Sequence, residues 1–152
     1  NPVSIAIHDI NPKFIADASQ KILNNTEPKM GTSMWLYLAS QYVGGLPVRN
    51  TSDKYENTEI KESTYFGVIT RDEYREFGIK TYEFMKSNKT VPDSVNADGK
   101  KLNSGDIEHL LAITSEKHTS KENMQFPRYV YMNAEYEPFQ IIYKFIRSSF
   151  YS

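Results

Sequence analysis

Cysteine is absent from the 152-residue chain. That absence removes thiol nucleophiles, zinc–thiolate sites and disulfides together. It leaves the compartment open, because a reducing cytosol and a disulfide-free cell surface both tolerate such a chain. Long apolar runs are missing too: no stretch approaches the roughly 20 residues that a membrane helix requires, so membrane insertion is not expected. Charge of one sign is scarce, since 18 basic and 19 acidic residues leave a net charge of −1. A nucleic-acid partner is therefore not expected, because such binding rests on neutralising phosphates. The chain has no polybasic run for an anionic membrane. It also lacks a Gly-x-Ser-x-Gly elbow, a phosphate loop and a dinucleotide fingerprint. Its three histidines are His8, His109 and His118. The last two are nine residues apart, which is not the i, i+4 spacing of a ligand pair on one helix. Asp98, Asp106 and Glu108 follow no calcium-loop template, and capping and solvation account for them. Asp72-Glu73 stands where a helix start favours negative charge. No metal, cofactor or catalytic residue is expected, and an acid–base carboxylate enzyme is the third reading behind two binding modules.

Aromatic residues are plentiful at 13%, with eleven Tyr and eight Phe. Tyr joins a flat apolar face to a polar tip, which suits sugars, peptides or protein partners when exposed. Most of these rings are nonetheless expected in the core. A chain of this size buries roughly 68–70% of its unfolded surface, enough to fold without staples. It begins at Asn1 rather than Met and is expected to be a fragment or processed piece. Asn24, Asn50 and Asn88 stand in Asn-x-Ser/Thr sequons, about as many as chance supplies, so they say little of the compartment.

Asn11-Pro12 pairs an N-cap with a first helical position, and Phe14, Ile15, Ala18, Ile22 and Leu23 follow at helical spacing. A second helix runs from about Ser33 to Val43 and stops at Gly44-Gly45. Residues 47–63 read as a polar surface loop and Thr64 to Ile69 as a short strand. Thr70 to Glu73 form a capping box, behind which Tyr74, Phe77, Tyr82 and Met85 share one face of a helix. Asp98-Gly99 between Val95 and Leu102 is a two-residue hairpin signal. Asn103 or Ser104 caps a fourth helix with Ile107, Leu110 and Leu111 inward, and Thr119-Ser120 offers a further cap. A second β segment, Tyr129 to Met132, leads to a last helix carrying Phe139, Ile142, Phe145, Ile146 and Phe150.

Sliding the chain on itself by 35 residues sets Pro92 on Pro127, Val95 on Val130, Asp98 on Asn133 and Ile107 on Ile142. The unit is a helix, a Pro-x-x-Val stretch, a tight hairpin and a second helix. Proline ends one helix and holds an extended lead-in. The valine anchors the hairpin, and the hairpin returns the chain. The stretch from Tyr74 to Ala112 resembles the pseudomurein-binding repeat of methanogenic archaea and their viruses. The resemblance is carried by Tyr74, Tyr82, Met85, Asn88, Pro92, Val95, Gly99, Lys100, Leu102, Asp106, Ile107, Leu110, Leu111 and Ala112. A third unit keeps Pro127 and Val130 but has Ala134 in place of Gly99, and a first would centre on Trp35 to Pro47.

The expected fold is mainly α with small β hairpins, a single domain over 1–152 of degenerate units near 33–70, 71–117 and 118–152. The resemblance implies binding of pseudomurein, through its glycan strand or peptide stem, at an extracellular cell wall. It also implies company, since such repeats accompany wall-lytic endopeptidases or surface proteins. The alternative is a helical protein-interaction module of a surface protein. The candidate contact surface is the hairpins: Asn96, Asp98, Lys100 and Lys101 in one, and Tyr129, Tyr131, Asn133, Glu135 and Tyr136 in the other. With Val95 and Val130 inward, strand alternation sends Tyr131 outward.

Overall fold

A computed structural model describes residues 10–56, 59–120 and 125–133. Helix α1, Pro12–Leu23, starts where the Asn11 side chain accepts the Phe14 amide at 3.0 Å. It ends with Asn25 in the left-handed region, φ 58°, and Thr26 N–H returning to Lys21 O at 2.8 Å. Helix α2, Thr32–Val43, ends in the same way on Gly45, φ 78°, with Leu46 N–H on Gln41 O at 2.9 Å. Both ends are Schellman motifs, which satisfy carbonyls that a helix terminus leaves bare. Strand β1, Gly67–Thr70, leads straight into α3, Arg71–Asn88. Strands β2, Ser94–Ala97, and β3, Lys100–Asn103, then form the hairpin. Helix α4, Ser104–Ser120, and strand β4, Tyr129–Met132, complete the described elements.

The helices enclose one apolar core that extends from Ile15 to Met132. Helix α2 is covered nearly all round, with Trp35 to Gln41 buried, because it contacts α1, α3 and α4. Trp35 is fully buried, and its indole N–H donates to Ser19 Oγ at 2.9 Å. Helices α2 and α3 approach so closely that a Cβ on Gly78 would stand 2.7 Å from Ser40 O. Glycine is required there for backbone contact rather than for a turn. Phe14, grouped by its spacing with the inward residues of α1, is instead 37% exposed, while Ile15 is buried.

The β2–β3 hairpin turns on Asp98-Gly99, both at positive φ, and pairs Val95 with Leu102 as expected. The β4 segment departs from expectation. It pairs antiparallel with β1, setting Ile69 against Val130 and Thr70 against Tyr129. Its described partner is thus a strand far upstream rather than a local return. The expected cap at Thr119-Ser120 lies within α4, which runs through both residues. The last expected helix, over Phe139 to Phe150, falls outside the described residues.

The polar segment between α2 and β1 is fastened along its length. Gln41, buried in α2, grips Arg49 with both ends of its amide, 2.9 Å to Arg49 O and 2.9 Å from Arg49 N. Glu56 bridges to Thr90 just past α3. Ser104 Oγ takes the Lys61 amide at 2.9 Å, and Gly105 has no room for a Cβ beneath Lys61 O.

Candidate functional site

The first turn of α3 is where the two small sheets meet. Thr70 caps the helix by accepting the Glu73 amide at 3.3 Å, while Glu73 Oε1 accepts the Thr70 amide at 2.8 Å. Glu73 is 6% exposed and also holds Lys100 Nζ at 2.7 Å. The same ammonium donates to Val68 O at 3.3 Å, so Lys100 ties the β2–β3 hairpin to both β1 and α3. Burial works to raise the Glu73 carboxyl, but hydrogen bonds from Lys100 and Thr70 outweigh it and hold Glu73 below its ordinary value. Hydrogen bonding to Glu73, and then its charge, push exposed Asp98 upward. The hairpin tip is therefore coupled to the helix start through Glu73.

On the β4 side, Arg71 Nη2 donates to Phe126 O at 2.9 Å, and the Arg71 amide donates to Arg128 O at 2.9 Å. The Tyr74 hydroxyl donates to Pro127 O. The Arg75 guanidinium lies 4.7 Å from the centre of the Phe126 ring. These contacts seat β4 and open a shallow cleft of about 330 Å³ lined by Thr70, Arg71, Asp72, Arg128 and Tyr129. Arg128 stands 6.0 Å from the centre of the half-buried Tyr129 ring. The cleft offers an aromatic edge, guanidinium donors, a carboxylate and a hydroxyl, a set that suits hydroxyl-rich or carboxylate-bearing ligands.

The expected contact residues divide accordingly. Asn96, Asp98 and Lys101 are exposed on the hairpin. The Asn96 carbonyl accepts Lys80 Nζ at 2.7 Å, leaving its side chain outward. Lys100 is engaged with Glu73, and Tyr129 lines the cleft. Tyr131 does not point to solvent: it is 8% exposed, and Val130 and Met132 beside it are fully buried. Alternation fails because successive residues Val130, Tyr131 and Met132 are all buried, so both faces of β4 are covered. Asn133 adopts φ 54° and donates its amide to Ser63 Oγ and to Tyr65 O, which makes it a tether of the preceding segment. Glu135 and Tyr136 lie outside the described residues. Arg71, Asp72 and Arg128 were missed as lining groups. Their signal was adjacency to the Thr70 cap and to Tyr129, which only the β1–β4 pairing makes meaningful.

Among the described residues no group of three or more His, Asp or Glu side chains is arranged to hold a metal. Asp106 is a capping residue, exchanging bonds with Asn103 at 2.8 and 3.0 Å. Among the described residues no helix is long and apolar enough to cross a membrane. No family model, curated protein or solved structure matches the chain.

Proposed function

We propose that the chain is a non-catalytic module that binds pseudomurein and so anchors or targets an attached wall-lytic enzyme or surface protein. The observation that carries the reading is the unit α3–hairpin–α4. It runs through Pro92, Val95, the Asp98-Gly99 turn and the Leu110-Leu111-Ala112 helix in the order the resemblance requires. Tyr74, Met85, Val95, Leu102, Ile107, Leu110, Leu111 and Ala112 are all buried, so most of the shared residues form a frame whose surface is left to make the contact. Pro127 and Val130, also buried, are read as the same lead-in of the degenerate third unit, whose strand pairs with β1.

The wall polymer is taken at the start of α3, by the cleft of Thr70, Arg71, Asp72, Arg128 and Tyr129 together with Asn96, Asp98 and Lys101 of the hairpin. A tyrosine ring receives a sugar face and guanidinium groups receive carboxylates. On this reading the chain acts outside the cell. Sedimentation with purified pseudomurein sacculi, against bacterial murein sacculi as control, tests it. The chain is expected in the pseudomurein pellet and in the murein supernatant. Equal binding to both polymers, or to neither, rejects the reading.

A further inference from the structure

A second surface, built from other residues, carries its own chemistry. Glu108 sits in the first turns of α4 and faces hollows that Ile60 of the fastened segment also lines. Two adjoining hollows share these two residues. One of about 240 Å³ is lined further by Glu27, Thr32, Leu36 and Val91. The other, of about 270 Å³, reaches Lys61, Glu62 and His109. Glu108 Oε2 is sealed from solvent and accepts no hydrogen bond from the described residues. Such an oxygen is costly to a fold, because buried polar atoms are nearly always paired. Burial alone pushes the Glu108 carboxyl up to about 7.

The first hollow has a definite polarity. Among the described residues no Lys, Arg or His lines it, whereas Glu27, Glu108, Thr32 and Ser33 do. Leu36, Ile60 and Val91 supply an apolar wall beside them. An acidic end with an apolar flank complements a cation on a short hydrocarbon stem. An anion would meet two carboxyl groups, and a fully apolar ligand would leave Glu108 unpaired. A bound ammonium would favour the ionised form of Glu108 and offset its burial.

We propose that the hollow between α4, the start of α2 and Ile60 binds a primary ammonium group on a short aliphatic stem, with Glu108 as its counter-charge. This site is independent of the wall-binding surface. The test is a titration of the full isotope-labelled chain followed by amide chemical shifts at pH 8. n-Butylammonium is the probe, with N-butylacetamide as its neutral match and butyrate as its anionic one. Saturable shifts at Ile60, Val91 and Glu108 are expected for the cation alone. Nα-acetyl-lysine methylamide and putrescine then separate a peptide-borne lysine from a free diamine, the tighter of the two marking the source. Glu108→Gln, with its fold checked by circular dichroism, is expected to weaken the cation at least tenfold. Affinity should also fall about tenfold for each pH unit below the Glu108 titration, since only the ionised form pairs with the cation. Equal shifts from the neutral amide, no saturable shift from any ammonium, or undiminished binding by folded Glu108→Gln overturns the proposal.

Discussion

The carboxylate of Asp106 and the backbone amide of Thr64 meet at 2.8 Å across 42 residues of chain. The same oxygen accepts Ser63 Oγ at 2.8 Å and the Tyr65 amide at 2.9 Å, while Oδ2 accepts the Asn103 amide at 3.0 Å. One side chain thus completes the Asn103 capping box at the start of α4 and closes the loop that leads into β1. Asp106→Ala would remove the Asp106 half of the capping box with Asn103 and leave part-buried amides without an acceptor. A loss of about 2–4 kcal/mol is expected, given that hydrogen bonds to charged groups are worth about 1.5–3 kcal/mol each and share partners here. Urea unfolding measures the loss, and hydrogen exchange should show the Thr64 and Tyr65 amides losing protection before the α4 interior does. Unchanged protection would mean that the loop is held by other contacts.

The pair Lys100–Glu73 gives a second outcome, and the sign of its pH dependence is fixed. Glu73 is held below its ordinary value of 4.5, so its contribution is complete above that pH and is lost as pH falls through the folded value. Lys100→Met leaves Glu73 buried without its cation. A loss of about 1–3 kcal/mol at pH 7 is expected, below the range for fully buried pairs because Lys100 keeps 30% exposure. The gap between wild type and variant should narrow in melts as pH falls through the folded Glu73 titration, because protonation removes the charge that Lys100 pairs. A gap that persists at low pH would assign Lys100 a packing role instead.

Glu108 acts in the opposite direction. Its folded value of about 7 lies above the ordinary 4.5. The unfolded chain therefore ionises first, and stability falls as pH rises from about 4.5 through 7. Glu108→Gln removes that fall. The variant should match wild type near pH 4 and exceed it at pH 8 by about 1–3 kcal/mol, at about 1.4 kcal/mol per pH unit between the two titrations. Chemical denaturation across this pH range decides it, and a variant no more stable at pH 8 would place Glu108 in contact with solvent.

What could be read from sequence is what local chemistry determines. The caps at Asn11, Thr70 and Asn103 and the Asp98-Gly99 turn each depend on residues within four positions of one another. The β1–β4 pairing depends on a register between segments that share no turn, and a four-residue strand carries too little alternation to announce it. Two site assignments failed through that one gap. Tyr131 was assigned to solvent by alternation, and Arg71, Asp72 and Arg128 were not seen to join Tyr129. Sequence alone leaves Glu108 a solvated acid, because it shows neither the hollow that Glu108 shares with Ile60 nor the lack of a donor to its Oε2.

The two tyrosines of β4 separate frame from contact. Tyr131 is 8% exposed and faces Val68 across the ladder. Tyr131→Ala should cost about 3–5 kcal/mol, as large aromatic truncations in a core do. Val95→Ala and Val130→Ala, at 7% and 0% exposure, should cost about 1–3 kcal/mol each. Tyr129 is only half-buried and lines the cleft with Arg128, so Tyr129→Ala should stay within about 1 kcal/mol of wild type in melts. Its effect belongs in the bound state, where the lost ring edge weakens sedimentation with pseudomurein sacculi. Arg128→Ala, removing the guanidinium beside that ring, should do the same without unfolding the chain. If both variants sediment like wild type while remaining folded, the start of α3 is not the contact surface. The exposed hairpin residues Asn96, Asp98 and Lys101 would then be tested in its place.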